Sequence, residues 1–567
     1  MIDNAALLRV QLAPEWRLIL PGPEILGDSV QMHFTKHLTT VNSARSLRAC
    51  ILLLSVFHML TPSAASPADT QTTGVLKLYK ENCAECHGEN RLGGMGPALL
   101  AGNLKRLHRK AAVEVIRQGR VATQMPAFAE KLSTEDIQAL ADYIYTPLKE
   151  VPVWGLSEIG ASHIIHNRES ELPDKPVFEV DDLLNLFLVV ELGDHHVTLL
   201  DGDRMEPVHR FMTRFALHGG PKFSPSGRFV YFASRDGWIS KFDIYNLKLV
   251  AEVRAGINTR NLAVSADGRY VMVANYLPHT LLLLDGRDLS PIRLYQVKDS
   301  SGKTSRVSAV YTAPPRNSFI AAMKDILEVW EISYAEIPPA GFSSWVHDYH
   351  KDSGENLRLD PFPVRRIRVD DYLDDFFFDP DYVSLIGASR EGRGQVVNMN
   401  VGRVVADLNL QGMPHLGSGI TWEYQGRPVL ATPNLKEGSV TVIDMETWKT
   451  LKRIETLGPG FFMRSHENTP YAWVDVFFGP DKDAVHVIDK GSLEIVKTLR
   501  PAAGKTAAHV EFTRDGKYAL VSIWDREGAV VVYDAATLQE VKRLPMNKPS
   551  GKYNVYNKTR YSAGTSH

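Results

Sequence analysis

A small all-α domain followed by an all-β eight-bladed β-propeller is the fold this chain predicts, and three observations carry that prediction. A Cys-x-x-Cys-His motif stands at Cys83, Cys86 and His87 among helical patterns. From about residue 184 the pattern changes to short β-runs, most of them ending in Asp. The spacing is 42 residues between Asp201, Asp243 and Asp285, and 45 between Asp444, Asp489 and Asp534, the length of one four-stranded blade.

The chain has 567 residues, more than one core normally organises, so at least two domains are expected. Apolar residues at 44 % and charged residues at 23 % are ordinary globular values. A net charge of −2 without a basic block argues against a nucleic-acid partner.

Residues 1–65 read as a leader. Lys36, Arg45 and Arg48 precede the apolar run Ala49–Leu60, and small residues follow at Ser63–Ala65. That order describes a secretory signal peptide, with a membrane anchor or buried helix as the alternative; the run is too short to span a bilayer comfortably. Residues 1–31 make a long extension, and Met32 is a second candidate start. Removing the leader places the mature chain in the periplasm and takes Cys50 away. Cys83 and Cys86 then remain as a pair reserved for one task.

Residues 70–150 have the pattern of a cytochrome c domain. Two thiols three positions apart on a helical turn reach both vinyl groups of one porphyrin, and the next residue, His87, points its imidazole at the iron. Val75–Glu81 reads as the helix carrying the motif, and further helical patterns cover 111–118 and 134–145, the latter capped by Ser133 or Thr134. A low-spin haem takes a sixth ligand. Met125 lies 38 residues after His87 in a Met-Pro loop before the last helix, and Met95 in the Gly-rich turn competes with it. A redox disulfide or zinc half-site is the alternative reading of the cysteine pair, and the adjacent histidine and downstream Met-Pro speak against both.

Residues 151–183 read as a linker and 184–560 as the propeller. A second motif recurs upstream of several strand-end aspartates, as SPSGRFVYFAS, SADGRYVMVAN and TRDGKYALVSI. Its Ser-Gly and Asp-Gly pairs set hairpins, and Asp at a strand end caps the next turn. Between Asp285 and Asp444 two degenerate copies fit around Trp330 and Asn400, separated by an insertion near 335–370, which brings the total to eight. The final run from Lys552 closes the ring. A propeller channel can hold a large flat ligand, and a protein-binding scaffold is the reading that the fold alone favours.

The combination resembles the cytochrome cd1 nitrite reductase family over roughly residues 70–560. The motifs that carry the resemblance are CAECHG, the run Leu172–Asp203, the run Phe215–Gly237, GMPHLGSG and GKYNVYN. It implies one covalent haem c and a non-covalent heme d1 or dihydro-heme d1 inside the propeller. It also implies that His218 ligates the d1 iron and that Arg235, Arg260 and Tyr276 meet the macrocycle's carboxylates.

Two departures narrow the resemblance. Nitrite reductases place two histidines over the distal face; one survives here as His415, while the other falls in a segment without histidine, where Phe377 or Phe378 takes its place. Tyr553 stands where nitrite reductases commonly have Phe. Both departures resemble the branch of the family that dehydrogenates dihydro-heme d1, oxidising one propionate to an acrylate. That resemblance implies His218 and His415 as axial ligands, a mobile His415 in its Gly-rich loop, and His509 with Tyr553 as the proton-handling pair. His347 and His350 are rival distal groups or members of a solvated loop, and His466 is read as structural. The alternatives are a nitrite reductase making nitric oxide and a non-enzymatic heme d1 carrier. The expected partners are the tetrapyrrole, a transient complex with a cd1 nitrite reductase or other heme d1 maturation proteins, and an electron acceptor that the sequence does not identify.

Overall fold

The Cys-x-x-Cys-His segment forms a helical turn. Helix Pro67–Asn82 leads into the short helix Ala84–His87, and Arg109–Gln118 and Thr134–Ile144 complete the module. Ser133 caps the last of these, its hydroxyl accepting from Asp136 N at 3.0 Å. Ile116, Ile137, Leu140 and Ile144 bury their side chains around Tyr79, whose hydroxyl donates to the Gly88 carbonyl at 2.8 Å. These coordinates come from a computed structural model that describes residues 67–560, apart from 94–95, 102, 105–106, 120–124, 149, 151, 215–216, 340–341, 343–360 and 390. The leader with Met32 and Cys50, and also Met95, His347 and His350, lie outside the described residues.

Eight sheets follow, ordered along the chain as the blades of one propeller. Blade 1 joins the two ends of that ring. Pro549–Asn554 pairs antiparallel with Leu186–Glu191, placing Tyr553 opposite Leu188 and Lys552 opposite Val189. Blades 2 to 8 begin at the inner strands Lys222–Phe223, Asn258–Val264, Val307–Ala313, Asp375–Phe378, Ile420–Tyr424, Met463–Ser465 and Ala507–Phe512.

The strand-end carboxylates cap turns as the repeat implies. Asp444 accepts from Glu446 N and Thr447 N at 2.9 and 2.8 Å, and Asp534 from Ala536 N and Thr537 N at 3.1 and 2.8 Å. In the two degenerate blades Ser333 and Asn398 stand in that place. Asn398 accepts from Asn400 N at 3.0 Å, so its repeat register lies two residues before the expected Asn400.

Period-two alternation explains why the blades stack. Leu186, Leu188 and Val190 pack toward blade 2, whereas Phe187 and Val189 pack toward blade 8. Corresponding apolar clusters fill the space between the other neighbours. The segment 151–183 carries helix Leu156–Ala161, whose Ile159 is buried between blades 2 and 3, and strand Ile164–Ile165, which joins the outer edge of blade 2. No described helix is long and apolar enough to cross a membrane.

Candidate functional site

In the helical module the geometry around His87 suits covalent haem. Its Nδ1 lies 2.8 Å from the Pro97 carbonyl, so Nδ1 carries the proton and Nε2 keeps a lone pair for iron. The ring lies against Gly96, where an added Cβ would sit 2.7 Å from Cε1. Burial holds the imidazole below its usual range and pushes the Cys83 thiol up to about 11. Cys83 and Met125 pack against the same apolar cluster.

A cavity of about 430 Å³ opens at one end of the propeller channel, and seven of the candidates drawn from the propeller line it: His218, Arg235, Arg260, Tyr276, His415, His509 and Tyr553. Ring order arranges them. His218 belongs to blade 2 and His415 to the entry of blade 6, which face each other across the axis of an eight-bladed ring. Between them on one side, blades 3 to 5 supply Arg260, Tyr276, Lys324, Asp374 and Ser389. On the other side, blades 7, 8 and 1 supply Phe461, Phe462, Phe477, His509, Trp524 and Tyr553.

The histidines divide by how Nδ1 is held. The Nδ1 of His218 lies 2.6 Å from the Arg260 carbonyl, and that of His415 lies 2.6 Å from the Phe461 carbonyl. A carbonyl only accepts, so both rings carry the proton on Nδ1 and keep Nε2 basic, as His87 does. His509 is arranged the opposite way. Lys552 N donates to its Nδ1 at 3.3 Å, so the resting neutral ring carries its proton on Nε2, an atom buried with no partner among the described residues. The three candidate iron ligands therefore share one tautomer, and the candidate acid–base residue has the other.

His509 reaches the cavity through a β-bulge. The register of Ala507–Phe512 against Tyr518–Ile523 slips between Ala508 and Val510, and His509 adopts φ 52°, a left-handed conformation rare for residues with a side chain. Burial, then the Lys552, Arg464 and Lys558 cations, hold its imidazole neutral well below the usual range. Its ring centroid is 5.2 Å from that of Tyr553, edge to face. The phenol packs on Gly220 at φ 70°, where an added Cβ would lie 2.8 Å from Cε1. Burial drives the Tyr553 ionisation well above its ordinary value, so the hydroxyl keeps its proton.

The structure corrects one expectation. Phe377 and Phe378 do not line the cavity; both are buried between blades, and the same segment presents Asp374 and Asp375 instead. The physical reason is that Phe377 and Phe378 lie further along the strand, where both of its faces are covered by neighbouring blades. His415 is tied into its loop through its backbone and ring. Its N–H donates to Pro433 O at 2.9 Å and its carbonyl accepts from Ser418 N at 3.0 Å, while Nε2 lies 3.8 Å from Asp375 Oδ2. Burial lowers its basicity, opposed by Asp375. His466 lies away from the cavity, with Nε2 3.1 Å from the Arg514 carbonyl.

Sequence reasoning missed Lys324, paired with Asp374, and the aromatic wall of blades 7 and 8. It also missed Asp475 and Lys552, fully buried behind His509. Of these only Lys552 carried a signal, as the neighbour of Tyr553 in GKYNVYN. The lining suits a large ligand that brings its own polar groups. Ser389 Oγ, Trp524 Nε1 and His509 Nε2 are buried on cavity residues with no hydrogen-bond partner among the described residues.

A hydrogen-bonded chain joins the two sites. The Gly93 N–H donates to the His87 carbonyl at 2.9 Å, and the carbonyl of that same peptide group, Leu92 O, accepts from Arg254 Nη2 at 3.1 Å. Arg254 Nε donates to Asp236 O at 2.9 Å, and the preceding residue, Arg235, lines the cavity. Trp154 lies against the Arg254 guanidinium at 4.7 Å and donates to its carbonyl.

Comparison with known proteins places this geometry. A family model described as the cytochrome D1 heme domain matches residues 181–355 and 344–558, and one described as cytochrome C oxidase, cbb3-type, subunit III matches residues 71–144. The dihydro-heme d1 dehydrogenase of Pseudomonas aeruginosa is 56% identical over 491 residues, covering 86% of this chain and 95% of that protein. A solved structure of dihydro-heme d1 dehydrogenase NirN in complex with DHE has a TM-score of 0.76 at 56% identity, covering 85% of this chain and 99% of that one. The nitrite reductase of Stutzerimonas stutzeri is 24% identical over 572 residues, 90% of this chain and 98% of that protein.

Proposed function

The chain belongs to the cytochrome D1 heme domain family, and from that membership we propose that it is a haem c-bearing dehydrogenase of dihydro-heme d1, acting in heme d1 biosynthesis. The reaction turns a –CH2–CH2– unit of a propionate into –CH=CH–, releasing two protons and two electrons. Cys83, Cys86, His87 and Met125 would hold haem c, which would take the two electrons one at a time and pass each to an external acceptor.

The residues divide the remaining work. His218 and His415 offer Nε2 lone pairs from opposed blades and would hold the macrocycle's iron between them. Arg260 Nη1 rests 3.1 Å from both ring nitrogens of His218, and a substrate carboxylate draws the guanidinium away and frees Nε2. Arg235, Tyr276 and Lys324 hold further carboxylates on the same side. The opposite edge meets the aromatic wall, which excludes water from the reacting side chain. There His509 is neutral, and before Nε2 can take a substrate proton the ring must adopt its other tautomer, with its own proton on Nδ1, giving up the 3.3 Å hydrogen bond from Lys552 N. Tyr553 keeps its hydroxyl proton and orients the reacting group.

What supports this reading above the others is the contrast of tautomers within one cavity: two iron-facing histidines and one of opposite polarity beside a protonated phenol. Nitrite reduction asks for a second distal histidine, and Asp374 and Asp375 occupy that segment instead. Delivery of the product to a cd1 nitrite reductase and a periplasmic setting belong to the same proposal, the latter resting on the leader at residues 1–65. The test is anaerobic incubation with dihydro-heme d1 and an external one-electron acceptor, following loss of two hydrogens by mass. Conversion abolished in His509→Ala with binding intact supports the assignment. Unchanged conversion in both His509→Ala and Tyr553→Phe contradicts it.

A further inference from the structure

Asp475 ends the strand Tyr471–Asp475 of blade 7, and its side chain is fully buried. It does not line the cavity, yet its carboxylate bonds the backbone of His509 directly and is linked to His415 through the Phe461–Phe462 peptide. Oδ1 accepts from Phe461 N at 2.7 Å and Phe462 N at 3.0 Å, and Oδ2 accepts from His509 N at 3.0 Å. The second of those N–H groups, Phe462 N, belongs to the same peptide as the carbonyl that holds His415, because Phe461 O is the partner of His415 Nδ1. The ring of Phe461 lies 4.4 Å from His415, and that of Phe462 lies 4.7 Å from His509.

The bulge makes this arrangement necessary. His509 in its left-handed conformation sits outside the ladder, and holding such a residue costs about 1–3 kcal/mol. Its backbone groups still need partners in a site closed to water. Asp475 takes the N–H, and Lys552 Nζ donates to the carbonyl. Of the two histidines Lys552 hydrogen-bonds only His509, its other side-chain hydrogen bond going to Ser522 at 2.8 Å, while its cation also acts on the Asp475 carboxylate. Asp475 is shared.

We propose that Asp475 is a positioning residue that sets the iron-ligand histidine His415 and the proton-handling histidine His509 in one register. The inference rests on the functional reading given above. A single carboxylate in this place fixes the distance between the iron and the acid–base group, which is the distance that selects which carbon of the side chain loses its proton.

The test uses the full chain with haem c attached, loaded with dihydro-heme d1, and reads two signals: the absorption and electron paramagnetic resonance of the bound tetrapyrrole iron, and the single-turnover rate. His415→Ala should change only the first strongly, and His509→Ala only the second. Asp475→Asn keeps the size of the side chain but turns one acceptor into a donor facing an N–H. It should change both signals together, with mixed axial ligation and turnover lowered about 10- to 100-fold. A wild-type iron spectrum and turnover within twofold in Asp475→Asn, beside altered His415→Ala and His509→Ala, overturns the inference alone. If the two histidine variants behave as wild type, the functional reading falls and the inference with it. Should Asp475→Asn not fold, Lys552→Met decides: lost turnover with an unchanged iron spectrum supports the shared role of Asp475, and a changed spectrum overturns it.

Discussion

The two walls of the propeller cavity differ in chemistry although the same repeat builds them. Blades 2 to 5 end in Arg235, Arg260, Tyr276, Lys324 and Asp374, groups that bind charge. Blades 7 and 8 end in Phe461, Phe462, Phe477 and Trp524, with His509 among them and Tyr553 of blade 1 beside it. A flat ligand held between His218 and His415 would meet both walls at once. The charged wall can pay for binding, and the dry wall can hold a neutral imidazole and an undissociated phenol against the side chain that reacts.

Breaking the aromatic wall's chemistry should have the largest effect. His509→Ala or Tyr553→Phe should lower single-turnover conversion about 10²- to 10⁴-fold while the dissociation constant stays within a few-fold, measured by mass and by titration. Breaking the charged wall should do the reverse. Arg260→Ala leaves its carbonyl on His218 but removes a buried guanidinium, and should weaken substrate binding by about 30-fold or more, with conversion of the saturated enzyme changed far less. Lys324→Met strands Asp374 in the same wall and should cost about tenfold in affinity, read by the same titration.

Two smaller effects sharpen the contrast. Arg254→Ala cuts the hydrogen-bonded chain between Leu92 and Asp236, and should slow electron arrival at haem c by less than about tenfold with substrate affinity unchanged, followed by stopped-flow absorbance. The pH profile tests the dry wall. An ordinary imidazole gains its proton as pH falls through 6.5, whereas burial and the neighbouring cations hold His509 neutral well below that value. The base form therefore persists as pH falls, and turnover should stay flat from pH 7.5 to below 6.5. A loss centred on 6.5 would place His509 in a wetter site than the structure shows.

The blades were legible because each carries its own local signal. Asp201, Asp243, Asp285, Asp444, Asp489 and Asp534 cap turns within their own hairpins, so a single sequence exposes them. Ser333 and Asn398 do the same work with a weaker signature, which blurred the register of the two middle blades. The cavity was legible only where a motif marked it, as at His218 and His415. Phe461, Lys324 and Asp475 have no local pattern, because what brings them together is closure of the ring. Lys552 stood in view beside Tyr553, but strand alternation turns the two side chains to opposite faces, and a lysine with no exposed surface is not what composition leads one to expect. The segment of Asp374 and Asp375 misled for a related reason: its phenylalanines look like pocket residues, yet they fill the space between blades.

The division of labour between the walls is tested most directly by one paired measurement. Dissociation constant and single-turnover rate for dihydro-heme d1 are determined in the same samples of Arg260→Ala and Tyr553→Phe. A crossed result is predicted, with Arg260→Ala losing affinity and keeping its rate, and Tyr553→Phe keeping affinity and losing its rate. Loss of the same parameter in both variants would contradict the account.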